Sequence, residues 1–326
     1  MQWNMYLYTL LPVFKKAWFC KNQIHKSKNK LKNKNMNVVS YFDGMSCGQI
    51  ALDELNIKVD NYFAFEIDKK AIEVTQDNYP NTKQMGSVIN ADLDLIPRNK
   101  DILLIGGSPC QGFSIAGKKL NFDDDRSKLF FEFVKAKETL KPKYFFLENV
   151  KMKDEIADAI DEIMGVKRQF VNSRCFTGHI RKRYYWTNLP FTELPKNDIK
   201  LKDIVDFEVP FNKDMNFFLD RTFYAPTESY DGIKTINPKQ NNGKQTWQRG
   251  RVYDIEGNMP TICASLFDLN ITKDHKTYRK LTRNECEKAQ GIPKNYTKAV
   301  SKNEAGKMLG NGWNVPTVKH FFKGIE

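Results

Sequence analysis

No two of the six cysteines stand in a C-x-x-C spacing, and the four histidines are scattered along the chain. The common zinc-ligand patterns and a disulfide framework are thereby excluded, so no metal is expected and reduced thiols are the simple reading. No apolar run approaches the ~18 residues needed to cross a bilayer, so no membrane partner is expected. The apolar stretch 6–14 has no basic residues before it and no small-residue cleavage site, which argues against a secretory signal. The dinucleotide fingerprint G-x-G-x-x-G is absent, which disfavours a nicotinamide oxidoreductase. Acidic residues are missing altogether from positions 1–35, where eight lysines stand.

What is present is charge of the other sign. The 326 residues carry a net charge of +13, which points to an acidic polymer such as nucleic acid as partner. Eight of those charges lie in residues 1–35, so the remainder is only mildly basic at +5. Segment 1–35 runs into Lys-Asn repeats without apolar periodicity and reads as a basic extension, or as sequence upstream of a true start at Met36. A hydrophobic content of 40% with 23 Phe supplies a core for one large domain and one small one.

From residue 37 the pattern alternates strand and helix. Residues 37–42 read as a strand, and Asp43-Gly44-Met45-Ser46-Cys47-Gly48 turns it into a helix beginning near Gln49, with Ile50, Ala51 and Leu55 inward. A strand, a glycine turn and a helix N-terminus suit an anionic group. The strand 62–65 ends in Glu66, 23 residues after Asp43, near the spacing at which a carboxylate meets ribose hydroxyls in such folds. A helix through Ala71, Ile72 and Val74 stops at Pro80. The run 101–105 reads as a buried parallel strand delivering Cys110 at its C-terminal end, where chemistry sits in open α/β sheets. A helix with Leu129, Phe133, Ala136 and Leu140 at helical spacing follows, then a strand 144–147 ending in Glu148-Asn149-Val150. Arg181 and Arg183 alternate onto one face of a later strand. Prolines and Gly/Asn/Gln clusters break up the interval from 189 to about 259. Thr282 with Glu285 forms a capping box, and Gly291 and Pro293 end that helix.

The nine residues Gly106-Gly107-Ser108-Pro109-Cys110-Gln111-Gly112-Phe113-Ser114 resemble the catalytic loop of DNA cytosine-5 methyltransferases. Other motifs follow in that family's order. Asp43–Gly48 resembles its cofactor loop, Asn90-Ala91-Asp92-Leu93 its adenine-contacting acid, and Glu148-Asn149-Val150 its second catalytic motif. His179-Ile180-Arg181-Lys182-Arg183 resembles its QxRxR strand, with His179 in place of the usual Gln. The stretch 279–293 resembles R-x-L-T-x-x-E-x-x-x-x-Q-G-F-P, and Gly310-Asn311-Gly312-Trp313-Asn314-Val315-Pro316 resembles the C-terminal motif.

The resemblance implies an α/β, Rossmann-like S-adenosylmethionine-dependent methyltransferase domain with a mostly parallel sheet, at 37–189. It further implies a small irregular target-recognition domain at 190–300 and a C-terminal helix, 301–326, packing back on the first domain. The implied cofactor residues are Phe42, Asp43, Gly44, Ser46, Cys47, Glu66, Ile67, Asp92, Leu93, Pro109, Asn311 and Trp313, with S-adenosylhomocysteine as product. The implied catalytic residues are Cys110, Glu148, Arg181 and Arg183, with DNA contacts at Ser114, Gln248, Arg249 and Arg251. A monomer acting on double-stranded DNA, in the cytoplasm of a bacterial or phage-infected cell, is the expectation. A tRNA cytosine methyltransferase shares this chemistry, and Cys175-Phe176-Thr177 is similar to a tripeptide of that branch, although it precedes the arginine strand. A catalytically inert DNA-binding relative should have lost Cys110 or Glu148, and both are present.

Overall fold

Strand β1 (Met36–Tyr41) is buried along its whole length, as a strand covered by helices on both faces must be. The computed structural model describes residues 35–109, 125–215, 227–228, 231–236, 251–264 and 268–325. After β1 come α1 (Cys47–Glu54), β2 (Val59–Phe65), α2 (Lys69–Asn78), the two-residue β3 (Lys83–Gln84) and β4 (Ile102–Gly107). They are followed by α3 (Asp125–Leu140), β5 (Tyr144–Val150), α4 (Asp154–Met164), β6 (Gln169–Asn172), the one-turn α5 (Arg174–Thr177) and β7 (Lys182–Thr187).

These strands form one sheet in the order β3-β2-β1-β4-β5-β7-β6. The first five are mutually parallel, and β7 runs antiparallel to both β5 and β6. The strand order reverses between β1 and β4, so their C-terminal ends open the crevice where an open α/β sheet takes its ligand. Strand alternation divides the core in two. Val38, Leu103, Ile105 and Phe146 face a cluster that includes Ile50, Ala51 and Leu52 of α1. Val39, Tyr41, Leu104, Phe145 and Leu147 face a second, with Phe130, Phe133 and Ala136 of α3 and Ile156, Ala157 and Ile160 of α4. The expected helix from Gln49 begins two residues earlier, and Leu52 rather than Leu55 is its fully buried leucine.

The interval after β7 builds a second sheet from short strands: β8 (Lys213–Asp214), β9 (Thr227–Glu228), β10 (Lys234–Thr235), β11 (Val252–Asp254), β12 (Asn270–Thr272) and β13 (Thr277–Lys280). Its order is β8-β13-β12-β11-β10-β9, with only β11 and β12 parallel. Leu201, Tyr253, Ile271 and Leu281 from this part enter the same apolar cluster as Leu103 and Phe146. Three helices close the chain: α6 (Arg283–Gln290), α7 (Lys302–Asn311) and α8 (Val315–Phe322). The C-terminal segment therefore holds two helices rather than one, with the Gly312-Trp313-Asn314 turn between them. Asn314 caps α8 by accepting from the Thr317 N–H. Phe321 and Phe322 pack edge-on to Phe146, each at a 5.3 Å ring separation, which seats α8 beneath β5.

Candidate active site

A cavity of about 450 Å³ opens at the C-terminal ends of β1, β4 and β5. Its wall gathers Phe42, Asp43, Gly44, Cys47, Glu66, Pro109, Asn311 and Trp313, together with Glu148, Arg181 and Arg183. Segments more than two hundred residues apart in sequence thus meet in one concavity. Cys110 and Ser114 lie outside the described residues, as do Gln248 and Arg249. Arg251 is described, immediately before β11, and lies away from this cavity wall.

The turn after β1 reverses tightly, with Phe42, Gly44 and Ser46 all at positive φ, a conformation that costs free energy for the two residues with side chains. Side-chain bonds hold it. Asp43 Oδ2 accepts from the Ser46 hydroxyl, and Oδ1 accepts from the Tyr62 hydroxyl at 2.7 Å. Burial, with the Glu66 charge adding to it, pushes the Asp43 carboxyl up to about 6 against the pull of these bonds. Glu66 is held by three backbone N–H groups, those of Gly44, Ile67 and Asp68, each at 2.8 Å. Neither Asp43 nor Glu66 forms an ion pair among the described residues, whereas Asp68 is paired with Lys307 of α7 at 3.1 Å. This half of the cavity therefore favours a ligand carrying positive charge and hydroxyl donors. Burial also raises the Cys47 thiol to about 12, so it stays protonated.

The other half holds the candidate chemistry. Gly107 of β4 lies opposite Glu148 of the neighbouring parallel strand β5, three residues before Cys110. Glu148 is 7% exposed. Its Oε1 receives Arg183 Nε at 2.8 Å, and its Oε2 accepts from Trp313 Nε1 at 3.2 Å. Asn149 Nδ2 donates to the Ser108 carbonyl at 3.2 Å and to the Ser108 hydroxyl at 3.0 Å, fixing the root of the cysteine loop. Arg181, 2% exposed, donates through Nη1 to the Gly310 carbonyl and through Nη2 to that of Asn311, both at 3.1 Å. Burial and the nearby Arg183 lower it to about 10. Of the two arginines expected at the site, Arg183 reaches the Glu148 carboxylate and Arg181 holds the last carbonyls of α7 before Trp313.

Four expected cofactor residues lie outside the cavity wall. Ser46 is buried beneath the turn. Ile67 is 74% exposed. Asp92 caps the short turn Leu93–Leu95 by accepting from the Asp94 N–H at 3.1 Å, and Leu93 points into the core beside α3. Conversely, Asp68, Lys307, Met308 and Asn149 line the cavity although the sequence assigned none of them a role. Only Asn149 had a local signal, as the second residue of the Glu-Asn-Val triplet. His179 is fully buried, and its Nε2 accepts from the Ile262 N–H at 3.0 Å. Burial, and then the charges of Arg181 and Arg183, lower its pKa to about 3, so it stands neutral. The Cys175-Phe176-Thr177 tripeptide serves packing: Phe176 lies against His320 at 5.4 Å, and Thr177 Oγ1 accepts from Asn314 Nδ2 at 3.0 Å. Among the described residues, no cluster of His, Cys, Asp or Glu could hold a metal ion, and no helix is long and apolar enough to cross a membrane.

Comparison with known proteins agrees with this architecture. The family model described as C-5 cytosine-specific DNA methylase matches residues 36–155 and 211–326. The type II methyltransferase M1.ScrFI of Lactococcus lactis subsp. cremoris is 31% identical over 280 residues, covering 80% of this chain and 70% of that protein. The type II methyltransferase M.Bsp6I of a Bacillus species is 26% identical over 321 residues, 89% of this chain and 98% of that protein. Among solved structures, the methyltransferase EhMeth of Entamoeba histolytica superposes with a TM-score of 0.66 at 17% identity, over 90% of this chain and all of that one (100%), a likeness of fold. The chain belongs to the C-5 cytosine-specific DNA methylase family, and is a methyltransferase of the DNA cytosine-5 class.

Proposed function

We propose that this protein methylates C5 of a cytosine rotated out of duplex DNA, with Cys110 adding to C6 and Glu148 holding the base at N3 and its amino group. One observation carries the reading. Glu148 and the root of the cysteine loop stand on adjacent parallel strands, at one rim of a cavity whose other half presents Asp43 and Glu66.

The residues present fit S-adenosylmethionine. Asp43, with no ion pair among the described residues, suits its cationic amino-acid and sulfonium end, and Glu66 suits its ribose. Glycines at 107, 310 and 312 let backbone and side chains close around the space; a Cβ on Gly312 would lie 2.8 Å from Met45 Cε. When bound, the cofactor supplies an electrophilic methyl group. The protein's own part is to make C5 a nucleophile. The Cys110 thiolate adds to C6, and C5 becomes enamine-like. Glu148, oriented by Arg183 and Trp313, gives a proton to N3 as negative charge develops there, and takes it back when the C6–S bond breaks. Loss of the C5 proton with cleavage of the C6–S bond then restores the thiolate. Extrusion of the base costs a few kcal/mol, and the basic charge of the chain supplies phosphate affinity. Sequence readout falls to residues 190–258, with Gln248, Arg249 and Arg251 as candidate base contacts.

Duplex DNA carrying 5-fluorocytosine at the target should trap a covalent protein–DNA adduct, because the C5 fluorine cannot leave as a proton does. Cys110→Ala should give no adduct and no methyl transfer while binding S-adenosylhomocysteine normally. Appreciable methyl transfer by purified Cys110→Ala would overturn the assignment. Methylation of tRNA but not of DNA by the wild type would move the protein to the other substrate class.

A further inference from the structure

We propose that Trp313 is a positioning residue for Glu148: its indole N–H fixes the carboxylate that receives the target base, whatever else the ring touches. This rests on the function proposed above.

A carboxylate has two oxygens and about four lone-pair sites. Arg183 Nε takes a site on Oε1 at 2.8 Å, and Trp313 Nε1 takes one on Oε2 at 3.2 Å. With one donor on each oxygen, the carboxylate plane cannot swing about its terminal bond. The two remaining positions then face fixed directions, one accepting from the amino group and the other carrying the proton shared with N3. With Arg183 alone, the group would pivot about a single contact.

The indole is placed for this from several sides. Arg181 holds the carbonyls of Gly310 and Asn311, three and two positions before Trp313. The Trp313 backbone interacts with the Cys47 sulfur. Phe146 of β5 meets the ring edge-on, at 5.4 Å and 77°. Gly107 leaves the necessary gap, since a Cβ there would lie 2.8 Å from Trp313 Nε1 and 3.2 Å from Glu148 Oε2. β4, β5, the arginine strand and the α7–α8 turn thus converge on one N–H···O contact.

The test uses a reaction that needs no cofactor. When the Cys110 thiolate adds to C6, C5 takes a proton from water. Loss of the original C5 hydrogen to water with cleavage of the C6–S bond then returns cytosine and thiolate. DNA with [5-³H]cytosine at the target therefore releases tritium, at a rate that depends on Glu148 and not on cofactor contacts. Trp313→Phe keeps the ring and removes the N–H. It should slow cofactor-free release by about tenfold or more, the scale of one hydrogen bond to a charged group. Its affinity for S-adenosylhomocysteine by calorimetry should change far less. Gly107→Ala leaves Trp313 in the chain but forces the indole from the carboxylate, and should slow release likewise. Release at the wild-type rate by either folded variant overturns the assignment. Absence of release by the wild type overturns the proposed function and this assignment with it.

Discussion

The Glu285 carboxylate receives both terminal nitrogens of Arg279, Nη1 at 2.9 Å and Nη2 at 2.7 Å, in a pair buried on both sides. The same carboxylate accepts from the backbone N–H groups of Thr282 and Asp206, each at 2.7 Å. It thereby ties β13, the first turn of α6 and the chain just after the short turn Leu201–Asp203 into one junction. Arg279 and the accepted N–H bonds hold Glu285 below the usual carboxylate range despite its burial.

Removing one partner of such a pair leaves the other charged and buried, a loss of roughly 3–5 kcal/mol. Glu285→Ala should therefore lower the urea midpoint far more than loss of a helix cap alone, which costs about 1 kcal/mol. Because the folded carboxyl is depressed, its contribution is present above the unfolded carboxylate range and is lost as pH falls through the folded value. A change in stability no larger than that of Thr282→Ala would refute this account of the pair.

The cofactor position proposed above gives Asp43 a pH signature in binding. Its carboxyl is pushed up to about 6, and the ammonium group of an amino acid bound beside it favours the ionised form. Affinity for S-adenosylhomocysteine should fall as pH drops below about 6, by at most about tenfold per pH unit. Calorimetry from pH 5 to 8 should show that slope in the wild type and a flat profile in Asp43→Asn. In the ligand-free protein the sign reverses. The unfolded carboxyl is the stronger acid, so the contribution of Asp43 to stability declines as pH rises from about 4 to about 6.

His179 makes the fold sensitive to acid. The folded imidazole is lowered to about 3, so below its unfolded pKa only the unfolded chain takes up the proton. Stability should drop by about 2 kcal/mol between pH 7.5 and pH 5 from this residue alone. His179→Gln removes the titration, and its unfolding free energy should change correspondingly less over that interval. Parallel losses in the two proteins would show that His179 is not the source.

Gly310 sits inside α7, where alanine has the better helix propensity by about 1 kcal/mol. A Cβ there would nevertheless fall 2.2 Å from Ala264 N and 2.4 Å from the Cys263 carbonyl carbon, which are backbone atoms. Gly310→Ala should therefore lower the melting temperature, with overpacking of about 1–3 kcal/mol outweighing propensity. A raised melting temperature would mean that α7 can shift away from residues 263–264.

Strands ending in short motifs were legible in the sequence, because buried parallel strands are continuous apolar runs and their C-terminal turns carry unusual residues. Asp43, Glu66 and Glu148 were found that way, whereas Arg183 came from an alternating strand that resembles the family's arginine strand. The partners that orient them were not. Lys307 is one of many lysines on a helix, and only the approach of α7 to the N-terminus of α2 pairs it with Asp68. Arg181 and Arg183 share a strand pattern, and nothing local says that one holds carbonyls while the other holds Glu148. Glu285 appeared as part of a capping box and Arg279 only within the family-like stretch 279–293, their contact being a product of the turn between β13 and α6. The second sheet escaped notice because strands of two to four residues are too short for an alternation to register.

The packing of residues 190–258 limits how freely the proposed DNA readout could be transplanted. Leu201, Ile204, Val205, Tyr253 and Ile255 all project into the cluster that also holds Leu103, Ile105 and Phe146 beneath the catalytic sheet. A segment 190–258 borrowed from a relative would have to bring five matching apolar side chains, or open a cavity under the catalytic strands. An exchange confined to 237–250 leaves all five in place and carries Gln248 and Arg249 with it. The interchangeable part of this protein is thus far smaller than the interval that separates its catalytic motifs.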